Sequence, residues 1–406
     1  MKRVALLCMG LAVGAASVAE AQLTMQMSNG WSFTFSGNVN AFAIYESTSE
    51  DGGTLGAPGG LIGIGGKGFN VRTGLLPAFA VLDAKGKEGS TDLGVHFGFA
   101  PQIQCGGQAH DCFGAQIDMR QVYLTVGGTW GQILAGREIG LFNRQNILTD
   151  QTLFGVGATG GINGGGTTLG RIGFGYIYPN FVAQMTYSTP AGKNTQLSIG
   201  LFQPSALNSD AGTAYGQTEV PRLEAEVTVK PGDILLWLNG TAQNAKNPVA
   251  DQTKTAVGAG GGFRFGKTRF SLTGSGYFGK GIGTTLQFNG VGGCDAVAGC
   301  GPVQGIGVGG DGELRDSYGF LGQLTFTPSD SKLTVAASYG SSFLKSTDGE
   351  AAFKTENTLV SGGIYYQATK SLKVVGEGNY AWTKEHESGA DENKTFAPAF
   401  GLMLFF

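Results

Sequence analysis

A period of two in side-chain polarity recurs along this chain, and it restricts the possible folds more than any other feature. "WSFTFSGNVNAFAIYE" (31–46) places Trp31, Phe33, Phe35, Val39, Ala41, Ala43 and Tyr45 on one face, and Ser32, Thr34, Ser36, Asn38 and Asn40 on the other. A strand sends successive side chains to opposite faces, so this pattern reads as a strand with two unlike surroundings. The alternation returns in "TDLGVHFGFAPQIQ", "PRLEAEVTVK", "RFSLTGSGYF" (269–278), "DSYGFLGQLTFT" (316–327), "KLTVAASYG" (332–340) and "SLKVVGEGNYAWT" (371–383). Glycine, 72 of 406 residues, argues the same way. At roughly 18% against an average near 7%, it would weaken helices by about 1 kcal/mol per site, but it suits turns, loops and a curving sheet.

Half-buried strands of a water-soluble sandwich alternate too, so the connections must decide. Short links such as "AKGKEG", "GGT", "PGD" (231–233), "GK" (266–267), "PSDS" (328–331) and "TKS" (369–371) take turns with long polar or glycine-rich stretches. The long ones are 47–67, 105–114, 139–167, 204–219, 246–252, 279–313, 342–356 and 384–394. Tight turns at one rim and long loops at the other belong to an up-and-down meander, as in a transmembrane barrel. Reading 172–187 as one bent strand through "YIYPNF" gives sixteen strands, and splitting it gives seventeen, which breaks the rhythm. The expected fold is all-β: a transmembrane antiparallel barrel of sixteen strands.

The chain closes on "TFAPAFGLMLFF" (395–406), where Phe400, Leu402, Leu404 and Phe406 alternate to the last residue. In hydrocarbon each unpaired backbone group costs several kcal/mol, so a sheet there must close on itself. This last strand is expected to pair with the first, turning the apolar face to lipid and the polar face to a lumen. Charge placement agrees, because Arg or Lys on the lipid face near mid-membrane costs roughly 2–4 kcal/mol. Arg222, Glu224, Glu226, Arg269, Lys373 and Glu377 all fall on the polar side of their strands.

The front of the chain reads as an export signal. Lys2 and Arg3 precede an apolar stretch from Val4 to Ala16, and Ala19-Glu20-Ala21 supplies small residues for cleavage before Gln22. Residues 1–21 are thus the expected signal peptide, carrying Cys8, and 22–406 the barrel domain. Losing two of the 27 basic and one of the 30 acidic residues leaves a formal charge of −4, which argues against a nucleic-acid partner. Four cysteines remain in two local pairs, Cys105/Cys112 and Cys294/Cys300. In an exported protein they read first as loop disulfides; zinc is the second reading, with only His110 as a nearby imidazole. No cofactor and no metal site is expected.

On these residues the chain resembles the general diffusion porins of Gram-negative outer membranes. The aromatic carboxy-terminal strand is similar to the signal read by the barrel-assembly machinery. "MRQVYLTVGGTWGQILAGREIG" (119–140) resembles the segment in which an Arg opens a strand and a Gly-Arg pair ends the next. "GRIGFGYIYPNF" (170–181) resembles the strand after the constriction loop. The resemblance implies a homotrimer in outer-membrane lipid, with the third long loop, 138–168, folded into the lumen. It implies an eyelet in which Arg120, Arg171, Arg137 and Arg72 face Asp150, with Glu138 adding negative charge or pairing with Arg144. Guanidinium suits such a place because it stays charged among like charges. Leu153 stands where the family has a second carboxylate, so weak selectivity or an anion lean is as open as cation preference.

The function implied is a water-filled passive channel for ions and small hydrophilic solutes. A substrate-specific channel for sugars or anions is the alternative, though Phe42, Phe202 and Tyr277 alone make a sparse aromatic slide. A barrel enzyme would need a nucleophile beside a base. No recognisable arrangement surrounds His96, His110 or His386, and no catalytic residue is expected.

Overall fold

The computed structural model describes residues 23–49, 58–63, 65–104, 117–161, 166–190, 192, 194–209, 214–267, 269–288, 307–329, 331–387, 389 and 391–406. The expected signal peptide, His110, and Cys105, Cys112, Cys294 and Cys300 lie outside the described residues. In chain order the early strands are β1 (Leu23–Gln26), β2 (Ser32–Thr48), β3 (Lys67–Arg72), β4 (Phe79–Glu88), β5 (Thr91–Pro101), β6 (Ile117–Gly128) and β7 (Gly131–Ile139). After helix α1 (Arg144–Thr149) come β8 (Phe181–Ser188), β9 (Thr195–Phe202), a small hairpin of β10 (Leu207–Asn208) and β11 (Ala214–Tyr215), and β12 (Arg222–Val229). The rest are β13 (Ile234–Asn247), β14 (Gln252–Lys267), β15 (Phe270–Lys280), β16 (Asp316–Phe326), β17 (Leu333–Lys345), β18 (Lys354–Gln367), β19 (Leu372–Glu385) and β20 (Asn393–Phe405).

These make a closed antiparallel barrel of sixteen staves. β3 and β4 both pair with β2 and count as one stave, broken at residues 73–78. β10 and β11 stand apart as their own pair. Closure is made by β20 against β2, from Asn38↔Phe405 to Thr48↔Thr395. Below that, Gly37 and Phe406 exchange both backbone hydrogen bonds, and β1 extends the line of β20 along Ser32–Phe35. A Cβ on Gly37 would lie 2.2 Å from the Phe79 carbonyl oxygen, so only glycine fits this seam.

The alternation has the expected meaning. Val39, Leu238, Phe278 and Leu402 are exposed on the outer surface, whereas Asn38, Asn40, Glu224, Glu226 and Glu377 are buried inside. So wide an apolar exterior is tolerable only where lipid, not water, covers it.

Three details depart from the sequence reading. Residues 172–180 belong to the loop before β8 rather than to a bent strand, yet the count of sixteen stands. The backbone there closes on itself, with Gly173 N donating to Tyr176 O at 2.9 Å. The connection 248–251 is a tight turn. Arg269 precedes β15, and its Nε donates to Ser329 Oγ at 2.7 Å within the short-turn rim.

The interior is also fuller than a polar-lined tube. Phe42, Leu75, Ile147, Leu153, Val156 and Tyr176 form one apolar cluster, and Phe142, Ile177, Tyr277, Ile282 and Phe288 belong to another. Strands β2 and β15, the β3–β4 break and the third and sixth long loops supply them, and the loops are bonded inside the barrel. Leu61 of the first long loop donates its N–H to Asn357 Oδ1 at 2.9 Å, and Tyr178 of the third donates to Thr285 O of the sixth at 2.8 Å.

Candidate functional site: the infolded loop and the cavity beside it

The third long loop, 140–180, enters the barrel because carboxylates on the wall receive its backbone. Glu224 Oε2 accepts the N–H groups of Leu141 and Phe142 at 2.7 and 3.0 Å. Glu226 Oε1 accepts from Arg144 and Gln145 at 2.5 and 3.1 Å. Asn143, with φ 63°, turns the chain into α1, and Asn is among the residues that adopt this conformation most readily. Gln323 then takes the Gln151 N–H at 2.7 Å and donates to Thr149 O at 3.0 Å. Further on, Glu377 Oε2 accepts the N–H groups of Val156 and Gly157 at 2.7 and 3.0 Å, while Tyr365 donates to its other oxygen at 2.5 Å. Glu46 accepts from Thr159 Oγ1 at 2.8 Å. A buried carboxylate is tolerable when its lone pairs are met by donors, and the loop supplies them.

The six expected eyelet residues are not brought together. Asp150 caps the short helical turn Gln151–Phe154, accepting from Thr152 N at 2.9 Å, Thr152 Oγ1 at 2.6 Å and Tyr176 Oη at 2.8 Å. Arg171 is fully buried; it donates to Ser338 Oγ and to Leu359 O and lies 4.0 Å from Asp150. Arg72, 2% exposed, donates to the carbonyls of Thr159, Gly166 and Thr167. Glu138 is buried against Gln121 Nε2 at 2.8 Å and the Ile139 N–H at 2.7 Å; the ion pair of Arg144 is with Glu226 instead. Asp150, Arg171 and Arg72 act as ties within the loop and between loop and wall, and Glu138 ties β7 to β6. Loop and wall groups together take up their bonds, and Arg171 and Asp150 lie beside each other as an ion pair.

Arg120 borders a cavity. It has a volume of about 460 Å³ and lies between the loop and the wall made by β4 to β7, with Arg120 and Gln121 on the wall side. The loop side and the β3–β4 break contribute Leu75, Leu76, Leu148, Leu153, Leu169 and Tyr178. No carboxylate borders it among the described residues. Arg120 owes its position to a β-bulge: Gly98 pairs with Gln121 and Phe99 with Met119, leaving Arg120 as the extra residue of β6. Bulges re-aim side chains in this way. The sequence held a signal for it, since the adjacent polar residues Arg120 and Gln121 interrupt the alternation after Met119. Arg137, expected in the eyelet, is exposed on the outer face instead: it stands in register with Val122 and Ala183, in the row that holds Phe97, while its neighbour Glu138 takes the inward side against Gln121.

Other sequence candidates have structural roles. Phe42, Phe202 and Tyr277 are buried in the interior; Phe42 and Tyr277 belong to the apolar clusters, and Phe202 lies beneath the Arg222 guanidinium. His96 Nδ1 is bonded to Asp83 at 2.9 Å, and its ring stacks on Tyr123 at 4.6 Å. His386 meets Glu356 at 2.8 Å in the last long loop. Among the described residues no cluster of His, Cys, Asp and Glu could hold a metal ion. Phe400, Leu402 and Leu404 are exposed on the outer face of β20, and the Phe406 ring packs tilted against Phe35 at 5.3 Å.

A closed sixteen-stranded barrel, apolar outside and narrowed within by its own third loop, is the architecture of an outer-membrane diffusion channel. The model of the Gram-negative porin family matches residues 5–386, and the chain belongs to that family. No curated protein matches it. Among solved structures it is similar to the outer membrane channel DcaP of Acinetobacter baumannii, with 16% identity over 94% of this chain and 99% of that one and a TM-score of 0.65. It is similar to the anion-selective porin from Comamonas acidovorans, at 12% identity over 93% and 100% with a TM-score of 0.61. Salmonella typhi OmpF follows, at 11% identity over 95% and 100% with a TM-score of 0.60. The protein is an outer-membrane porin that forms a diffusion channel.

Proposed function

We propose that the channel passes small hydrophilic solutes passively and leans toward anions, with Arg120 as the charged group of its narrow part. The carrying observation is the charge balance of the cavity: Arg120 borders it, and no carboxylate does so among the described residues. Asp150, Glu138, Arg171 and Arg72 are excluded from that role by their internal bonds. Fixed charge beside low-dielectric walls raises the local concentration of the opposite ion. The Comamonas relative, described as anion-selective, has the same fold.

Export through residues 1–21, recognition of Phe400, Leu402, Leu404 and Phe406 by the assembly machinery, and a homotrimer in outer-membrane lipid complete the proposal. One solved relative, OmpT of Vibrio cholerae, is described in a trimer form. A role as a barrel enzyme has no support from His96, whose Nδ1 is taken by Asp83.

The test is the reversal potential of the purified protein in planar bilayers across a KCl gradient. An anion-signed potential that moves toward cations in Arg120→Gln is expected. A cation-signed potential in the unaltered protein would overturn the lean.

A further inference from the structure

We infer that the outer face of β17 and β18, at the long-loop rim, binds the phosphomonoester headgroup of a membrane lipid between Lys345 and Lys354. The site lies outside the lumen and is independent of which ions the channel passes.

The argument starts from a like-charge pair. Lys345, the last residue of β17, stands directly opposite Lys354, the first of β18. Side chains so paired start about 5 Å apart, and like charges there destabilise a sheet. Both lysines fall on the outer face, in the same alternation as exposed Tyr339 on β17 and exposed Val360 and Ile364 on β18.

Their neighbours leave the charge uncancelled. Lys345 Nζ lies 5.4 Å from the centre of the Tyr318 ring and Lys354 Nζ lies 5.2 Å from that of Phe343, the two rings being stacked at 4.7 Å. A ring face attracts a cation but brings no net charge. The carboxylates at this rim are engaged elsewhere. Glu356 accepts from His386 Nε2 at 2.8 Å and Thr358 Oγ1 at 2.7 Å, and Glu392 pairs with Lys384 at 3.5 Å and Lys394 at 3.2 Å. In the loop that joins the two strands, Glu350 pairs with Arg315. Among the described residues neither Lys345 nor Lys354 is in an ion pair, with Asp348 of that loop or with any other acid.

The surface below the pair identifies the occupant. Phe320, Tyr339 and Val360 are exposed there; the Phe320 ring lies 6.0 Å from Tyr339, and Tyr339 lies 6.5 Å from Trp382. Such an aromatic girdle marks the membrane interface, and the long loops of these barrels face outward from the cell. Lys345 and Lys354 therefore stand at the headgroup level of the outer leaflet. A phosphomonoester carries up to about two negative charges at neutral pH, and lysine binds phosphate as a point charge. Its oxygens match two ammonium groups at once, while the lipid's chains continue onto the apolar face beneath. Free phosphate shares the headgroup chemistry and lacks the chains.

The experiment uses the purified full-length protein in neutral detergent, with lipid binding read by native mass spectrometry. Phosphatidic acid and phosphatidylcholine with the same acyl chains are the probes. Phosphatidic acid is expected to bind at a concentration at least about fivefold lower, the size of one lysine's attraction to an anionic surface. Lys345→Gln with Lys354→Gln should remove that preference, and Lys345→Arg with Lys354→Arg should keep it. Lys67→Gln with Lys280→Gln takes the same charge from exposed positions elsewhere on the rim and should keep it as well. Without lipid, the Lys345→Gln, Lys354→Gln protein should unfold at or above the parent's temperature, because the repulsion is gone. Phosphatidic acid should raise the parent's unfolding temperature and leave that variant's unchanged.

Equal binding of the two lipids by the parent, or a preference lost equally in the Lys67 and Lys280 variant, overturns the inference. Displacement of phosphatidic acid by inorganic phosphate would assign the pair to a soluble anion and overturn the lipid. A Lys345 and Lys354 variant that loses its oligomer yet keeps the lipid preference would mean that a second copy of the chain covers this face.

Discussion

Glu377 Oε2 lies 2.7 Å from the backbone nitrogen of Val156, joining strand β19 to a loop 221 residues earlier in the chain. The same oxygen takes the Gly157 N–H, and a Cβ on Gly155 would fall 1.8 Å from Glu377 Oε1. Strand carboxylate and loop backbone are therefore fitted to each other, and the shape of the lumen depends on that fit.

Glu377→Ala removes the acceptor and leaves two buried N–H groups and the Tyr365 hydroxyl without it. Each orphaned group costs about 1–3 kcal/mol. The expected outcome is a folded barrel with a loosened loop, seen as flickering single-channel conductance and a lower unfolding temperature in detergent. A quiet conductance equal to the parent's would mean the loop is held elsewhere.

Arg72 spans the glycine-rich stretch by donating to the carbonyls of Thr159, Gly166 and Thr167. The flanks of that stretch, at Thr159 and at Gly166–Thr167, are thereby gathered by one guanidinium. Lysine offers a compact point charge instead of a planar fork, so Arg72→Lys is expected to behave nearly like Arg72→Ala. Amide exchange at residues 157–161 and 166–168 should rise in both variants. Protection retained by the lysine variant would contradict a role that depends on the fork.

The seam between Gly37 and Phe406 joins the two ends of the sheet, and Phe406 packs beside Phe35. Deleting Phe406 removes one ring contact and a pair of backbone hydrogen bonds at the closing edge. The yield of heat-resistant barrel in detergent should fall severalfold, and Gly37→Val, which clashes with the Phe79 carbonyl, should fall further. Equal yields from all three proteins would mean that closure does not depend on this seam.

On the long-loop rim, Arg315 pairs with Glu350, with Nε donating at 3.0 Å. Burial pushes the Glu350 carboxyl up, but bonds from Arg315 and from the Gly310 and Thr347 N–H groups outweigh it and hold the group at about 2, below its usual 4.5. A lowered folded value means the ionised form stabilises the folded loop. That contribution is complete above pH 4.5 and is lost as pH falls from there toward 2. The unfolding temperatures of the parent and of Glu350→Gln should therefore differ at pH 6 and converge as pH approaches 2. A gap independent of pH would contradict the linkage.

Much of the architecture is written locally. A period of two needs only neighbouring residues, so the alternation from Trp31 to Tyr45 and the final run through Phe400, Leu402 and Leu404 disclosed strand, outward face and closure. The spacing of turns disclosed the meander and the count of sixteen. Which charged residues border open space was not legible, because that depends on partners far away in the chain. Arg171 and Asp150 look like pore charges until Ser338, Leu359 and Tyr176 are brought to them. Glu224 and Glu377 read only as polar-face residues until the loop's N–H groups reach them. The sequence by itself determined a closed barrel with lipid outside, since side-chain alternation and backbone hydrogen bonding permit little else in hydrocarbon. The tertiary structure alone decided what remains exposed to a solute within it, since a buried charge is defined by the partners that fold around it.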